Sequence, residues 1–187
     1  MVWVYFACSY LIGNLMFGFL MTRLFYHEDI RNLGSGNVGA RNAGRLYGKK
    51  AFLFTFLGDA LKGALVVVAG RYLHFSDPVQ LIGLALVIIG HLKPVFLKFN
   101  GGKGISTFVG GMVAFQPLLI PVAIPIFLIL YLFFRSLTLA GLSAFLMIPV
   151  FLVIKQYQWE SFLLVIVIIL MIFIAQKDDI KERLLKK

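Results

Sequence analysis

"HLKPVFLKFNGGKG", residues 91–104, separates two apolar runs, 79–90 and 105–115, neither of which is long enough to cross a membrane alone. Twelve helical residues rise only ~18 Å, against a hydrocarbon core of roughly 30 Å. The segment between them holds one histidine, three lysines and three glycines. Irregular polar backbone at that depth is tolerated only where it is buried in protein or faces a wet cavity. The two short runs are therefore expected to frame a polar pocket.

The rest of the chain fits that setting. Of its 187 residues 60% are hydrophobic and 15% aromatic, and the mean hydropathy is +0.93, well outside the composition of a soluble domain. Further apolar runs fall at 2–22, 51–70, 118–134, 137–154 and 161–175. With the two short runs they make seven, and they predict an all-α polytopic membrane protein of seven transmembrane helices in one domain, 1–187. The first run has neither a basic leader nor a small-residue cleavage site, and about 20 residues suit a retained span better than a signal peptide. No internal repeat relates two halves, which argues against a secondary transporter.

A formal charge of +10 invites a nucleic-acid reading. Its distribution argues for topology instead. Of 18 basic residues, six lie in the first loop, three in the 91–104 segment, one at Arg135 and five in the tail. Only Arg71 and Lys155 fall on the other side, with Lys62 inside a span. That asymmetry places the N-terminus outside and the C-terminus in the cytoplasm, with no nucleic-acid partner expected. Cys8 is the only cysteine, which excludes an internal disulfide and argues against a metal site; it is read as a small core residue. Pro117, Pro121 and Pro125 share a helix face, as expected of a kinked packing helix. Asp59 and Lys62, three apart in the second span, can pair, and such a pair serves either structure or function.

A second polar stretch, "GSGNVGARNAGR" (34–45), lies on the same expected face. Gly34, Gly36 and Gly39 match the G-x-G-x-x-G spacing, but that fingerprint has meaning only between a strand and a helix, and here a membrane span precedes it. "FNGGKGIST" likewise fails as a nucleotide loop, because Gly104 follows Lys103 where serine or threonine is required. What both segments keep is the physics of anion binding: glycines let backbone N–H groups converge, and a following helix adds its positive end. Arg41 and Arg45 fall on one face if the segment is helical, and the planar fork of Arg45 suits a phosphate. Ser35, Asn37 and Asn42 add neutral donors, and Lys103 sits among Gly101, Gly102 and Gly104. His91 opens the second segment as a structural residue or a catalytic one; His27 and His74 have no motif context. Arg135 and Ser136 form a third polar interruption on that side, as pocket residues or as a plain turn.

"GSGNVGARNAGRLYGKK", "DALKG" (59–63) and "GHLKPVFLKFNGGKGIST" resemble the signature blocks of the membrane acyl-phosphate:glycerol-3-phosphate acyltransferases, the PlsY family, over nearly the whole chain. The resemblance implies a seven-helix fold in the bacterial cell membrane with its active site facing the cytoplasm. It implies transfer of a fatty acyl group from acyl phosphate to the 1-hydroxyl of glycerol 3-phosphate, giving lysophosphatidic acid, with no cofactor. Carried over by position, Ser35, Asn42 and Arg45 match the first block, His91, Lys103 and the glycines at 101, 102 and 104 the second, and Ser136 the third. Of these, Ser35, Arg45, His91 and Lys103 are the expected catalytic residues. Gly34, Gly36, Asn37, Gly39, Asn42, Gly101, Gly102, Gly104 and Ser136 are the expected phosphate-binding set. The chain departs from the family pattern at Arg41, Ala43, Gly44, Lys93 and Leu139, and in the tail at Gln176 and Asp179. Two other readings follow from these departures: an acyltransferase for another phosphorylated polyol, and a non-catalytic anion-binding paralogue.

Acyl phosphate is a mixed anhydride with a good leaving group, so positioning and charge stabilisation suffice without a covalent nucleophile. Two candidates remain for the base: the acceptor's own phosphate, with a second pKa near ~6 as in phosphoserine, and His91.

Overall fold

The computed structural model describes residues 1–185. Lys186 and Lys187, counted above in the basic tail, lie outside the described residues, as does the side chain of Arg183. The described chain is helical with no strand, and it divides into two compact units, Met1–Phe115 and the residues from Gln116 onward.

The first unit contains α1 (Val2–Gly13), α2 (Phe17–Phe25), α3 (Ala40–Tyr72), α4 (Asp77–Leu92) and α5 (Ile105–Phe115). Its centre is α3, which is built inside out. Leu53, Leu57, Leu61 and Leu65 line its exposed face, whereas Thr55, Gly58, Asp59, Lys62 and Gly63 are buried. A helix in water does the reverse; in lipid the apolar face turns outward and the polar and small residues pack within the protein. Close approach then supplies the packing. A Cβ on Gly110 of α5 would stand 2.0 Å from the carbonyl oxygen of Ala60, and one on Gly63 would stand 2.1 Å from that of Thr107. Helices α1 and α4 meet in the same way through Gly13 and Gly90.

Three expectations about the first unit need correction. The run 2–22 is not one straight helix: α1 and α2 are bent by 42° across residues 14–16. Asn14 holds the break, its amide nitrogen donating to the Tyr10 carbonyl at 2.7 Å while its oxygen accepts from the amide of Val95 at 2.6 Å. The run 79–90 is longer than read, since α4 begins at Asp77 with Pro78 in its first turn, where the missing N–H costs nothing. Cys8 is exposed, not a core residue. Within α3 the backbone at Gly48 leaves helical geometry, at φ 83° and ψ −172°, and separates residues 40–47 from the long membrane segment.

The second unit runs through α6 (Leu119–Phe134), α7 (Leu137–Phe145), α8 (Met147–Ile154), α9 (Trp159–Ala175) and α10 (Lys177–Leu185). Pro125 lies inside α6, and Pro117, Pro121 and Pro125 are all exposed, so the proline face does not pack within the chain as expected. The run 137–154 is interrupted at Leu146, because Pro149 has no N–H to offer the Phe145 carbonyl and its ring crowds that oxygen.

By length and composition, Ala40–Tyr72, Asp77–Leu97 and Leu137–Ile154 can cross a membrane, and the bent α1 and α2 pair adds a fourth candidate. Helices α5, α6 and α9 are apolar but shorter, at 11, 16 and 17 residues.

Candidate active site

Both glycine-rich segments end in the start of a helix. The first turns at Gly34 and Gly36, at φ 59° and 70°, and runs through Gly39 into α3. Its shape is held from within by Asn42. The Asn42 oxygen accepts from the Ser35 amide at 3.1 Å, and its nitrogen donates to the carbonyls of Leu33 and Asn37, each at 3.0 Å. Asn42 is 2% exposed, so its amide is committed to the loop. The Gly36 amide is likewise engaged, with the Leu33 carbonyl. Ser35, Arg41 and Arg45 are exposed, and Asn37 is half-buried. Arg41 and Arg45 fall in the first turns of α3, where the positive end of the helix and two guanidinium groups favour an anion together.

The second segment folds back on the end of α4. The Gly102 amide donates to the His91 carbonyl at 3.0 Å. A Cβ on Gly101 would lie 2.1 Å from that same carbonyl oxygen, and one on Gly102 would lie 2.1 Å from His91 Nε2. These two glycines are thus needed for close approach to His91. Gly104, at φ 80°, then leads directly into α5. Lys103 is half-buried. Lys98 and Phe99 both take left-handed backbone, at φ 54° and 62°, a conformation that costs an L-residue roughly 1–2 kcal/mol.

The two segments share one core. Leu97 of the second packs in a cluster with Val38 and Ala43 of the first, with Ile30 just before it, and with Met16 and Met21 of the broken first run. Arg31 bridges them, donating to the Leu97 carbonyl at 3.2 Å while its guanidinium clasps Asp29 at 2.6 Å. That partner holds the Asp29 carboxyl below the usual carboxylate range. Tyr10 adds a further tie, donating to the Lys93 carbonyl at 2.9 Å.

Beneath this surface lies a buried cluster of Asp59, Lys62 and His91, each at most 3% exposed. Lys62 Nζ stands 3.0 Å from Asp59 Oδ1, 2.8 Å from His91 Nδ1, 3.1 Å from the Gly13 carbonyl oxygen and 2.7 Å from that of Leu15. The last two are carbonyls freed where α1 breaks. The expected Asp59 and Lys62 pair is therefore present, and it is joined to His91.

In the second unit Ser136 caps α7, its Oγ accepting from the Leu139 amide at 3.4 Å. Gln176 is buried between α9 and α10, and Asp179 lies in the first turn of α10. Sequence reasoning missed Asn14, Arg31 and Tyr10. Asn14 alone had a signal, a polar side chain after glycine inside an apolar run.

An inside-out helical chain with apolar helices long enough to cross a membrane defines an integral membrane protein. The family model described as glycerol-3-phosphate acyltransferase matches residues 3–187. A Bacillus cereus protein named glycerol-3-phosphate acyltransferase 1 is 44% identical over 95% of this chain and 98% of its own length. The Bartonella henselae glycerol-3-phosphate acyltransferase is 35% identical over 99% and 89%. The crystal structure of PlsY (YgiH), an integral membrane glycerol 3-phosphate acyltransferase, in its glycerol 3-phosphate form superposes with a TM-score of 0.89 at 32% identity, covering 99% of this chain and 92% of that one. Its lysophosphatidic acid form gives 0.87 at 30% identity. This chain belongs to the glycerol-3-phosphate acyltransferase family.

Proposed function

We propose that this protein acylates glycerol 3-phosphate at its 1-hydroxyl, with acyl phosphate as donor, to give lysophosphatidic acid. The observation that carries the reading is the pair of glycine segments on one core, each running into a helix N-terminus, with Arg45 exposed on the first and Lys103 half-buried on the second. The family's substrates both carry phosphate. Two unit charges about 4 Å apart repel by ~4 kcal/mol at an effective dielectric near 20, and two cations with two helix ends offset a repulsion of that size. One set holds the acceptor's phosphate and the other the leaving phosphate.

In the transfer, the acceptor oxygen forms a bond to the acyl carbon, and the bond from that carbon to the phosphate oxygen breaks. Inorganic phosphate leaves, and the hydroxyl proton passes to a phosphate oxygen. Ser35 lies beside the first site as a neutral donor, Gly34, Gly36, Asn37 and Gly39 shape it, and Asn42 braces it. Gly101, Gly102 and Gly104 shape the second. The whole of 1–187 works as one domain with seven spans, the N-terminus outside and the site facing the cytoplasm of a bacterial membrane; the positive-inside asymmetry supports this orientation.

The test is purified protein with acyl phosphate and glycerol 3-phosphate, scored for lysophosphatidic acid. Product formation that disappears in Arg45→Ala supports the reading. Product only with another phosphorylated polyol moves the assignment to that acceptor, for which the exposed Arg41 beside Arg45 is the structural motive. Binding without product identifies a paralogue that does not catalyse.

A further inference from the structure

We propose that Lys62 is a positioning residue: it fixes His91 as an Nε2–H donor beside Gly102 and so withdraws the imidazole from the role of base. This rests on the acyltransferase reading above, and it follows from counting protons in the buried cluster. An ammonium has three N–H donors and no acceptor. Lys62 Nζ has hydrogen-bond geometry to four atoms, and the three strong acceptors among them, the Gly13 carbonyl, the Leu15 carbonyl and His91 Nδ1, use all three donors ahead of the weak thioether of Met16. Asp59 Oδ1, 3.0 Å from Lys62 Nζ and 3.6 Å from His91 Nδ1, supplies the countercharge without hydrogen-bond geometry to either. Because Lys62 can only donate, His91 Nδ1 accepts, and the ring's single proton resides on Nε2. That atom faces Gly102, whose own amide donates to the His91 carbonyl. The loop carrying Lys103 is thereby registered against a ring whose tautomer is set from α3.

The remaining neighbours support the same assignment. The break of α1 leaves the Gly13 and Leu15 carbonyls without helical partners, and the C-terminal end of a helix favours a cation. Lys62 also lies 4.0 Å from Met16 Sδ, which cannot take up its charge. Asp59 and Lys62 from α3, His91 from α4 and the two carbonyls after α1 are thus the groups that meet here. A base at His91 Nε2 would need a bare nitrogen on that side, and the bond from Lys62 places the proton there instead.

The experiment uses the full chain in detergent with 15N-labelled histidine, in a His27→Gln, His74→Gln background so that only His91 reports. Ring nitrogen spectra at neutral pH, recorded without substrate, are expected to show the Nε2–H tautomer; an Nδ1–H tautomer or an imidazolium overturns the proposal. These spectra do not depend on the reaction, so their failure is distinct from failure of the acyltransferase reading. Asp59→Asn with Lys62→Met removes both charges and leaves neither buried alone. It is expected to mix the tautomers and to lower kcat by about 10²-fold, as loss of precise placement does, with KM for glycerol 3-phosphate moving far less. Unchanged kcat overturns the proposal. Should that variant fail to fold, a side-chain comparison at His91 decides: His91→Gln keeps an N–H near Nε2 and is expected to turn over about tenfold faster than His91→Leu. Were the imidazole a base, both would lose about 10²–10⁴-fold alike, and equal losses overturn the assignment.

Discussion

The side-chain oxygen of buried Asn42 accepts the backbone N–H of Ser35 at 3.1 Å, across seven residues of chain. One side chain thereby determines the shape of the first glycine segment. Asn42→Leu removes this bond and the two to Leu33 and Asn37, each worth about 1 kcal/mol net. The variant is expected to lower the melting temperature in detergent and to lose most transfer activity. Asn42→Asp keeps the acceptor but turns a carboxylate oxygen toward two carbonyls, and is expected to do no better. A melting curve like that of the wild type in Asn42→Leu would refute the bracing role.

Arg45 is exposed in the first turns of α3, so its removal should not unfold the protein. Arg45→Lys retains the charge and loses the planar fork that grips two oxygens at once. Turnover well below wild type and above Arg45→Ala is expected, with KM for glycerol 3-phosphate raised. Equal activity in Arg45→Lys and wild type would show that only charge matters there.

The contact of α3 with α5 has no space for a side chain at Gly110, where a Cβ would fall 2.0 Å from the Ala60 carbonyl oxygen. Gly110→Val must push the helices apart, and overpacking of that kind costs typically about 1–3 kcal/mol. Gly48→Ala offers a contrast, since nothing lies within 4 Å of its Cβ. Its cost is backbone alone, about 1–3 kcal/mol for a glycine-only conformation. Melting curves should show both destabilised. Activity should fall further for Gly110→Val, because α5 carries the second glycine segment.

The Asp29 and Arg31 pair gives a pH dependence. Its folded carboxyl is held below the ordinary value by Arg31, so the folded state binds fewer protons than the unfolded one. The stabilisation is present above the unfolded value of about 3.9 and is lost as pH falls through the lower folded value. Asp29→Asn should destabilise at pH 7 by no more than the ~0.2–1 kcal/mol of a partly exposed pair. The difference should shrink below about pH 4. A difference that persists in acid would show that the charge on Asp29 is not its source.

Much of the molecule is legible in one dimension. Hydropathy marks the apolar segments because lipid selects composition over some twenty consecutive residues, and the placement of basic residues carries the topology expected for them. The glycine segments were readable as loops leading into helix starts, since glycine clusters break helices and the apolar runs resume at once. The pairing of Asp59 with Lys62 was readable because three residues place both on one face.

Only the tertiary structure decided the rest. Whether Asn42 faces an anion or its own loop depends on carbonyls five and nine residues before it. Gly101 and Gly102 read as anion-binding positions, and only the structure shows that their glycine identity is also demanded by the His91 ring and carbonyl. The break in the first apolar run is held by Asn14 and received by Lys62, 48 residues further on, and no local pattern relates those positions. The sequence by itself determined a helical membrane chain with two glycine-rich loops leading into helices, because composition and local spacing act over one or two helical turns. The meeting of Asp59, Lys62 and His91 with the two carbonyls at the break of α1 was decided by three helices packing together.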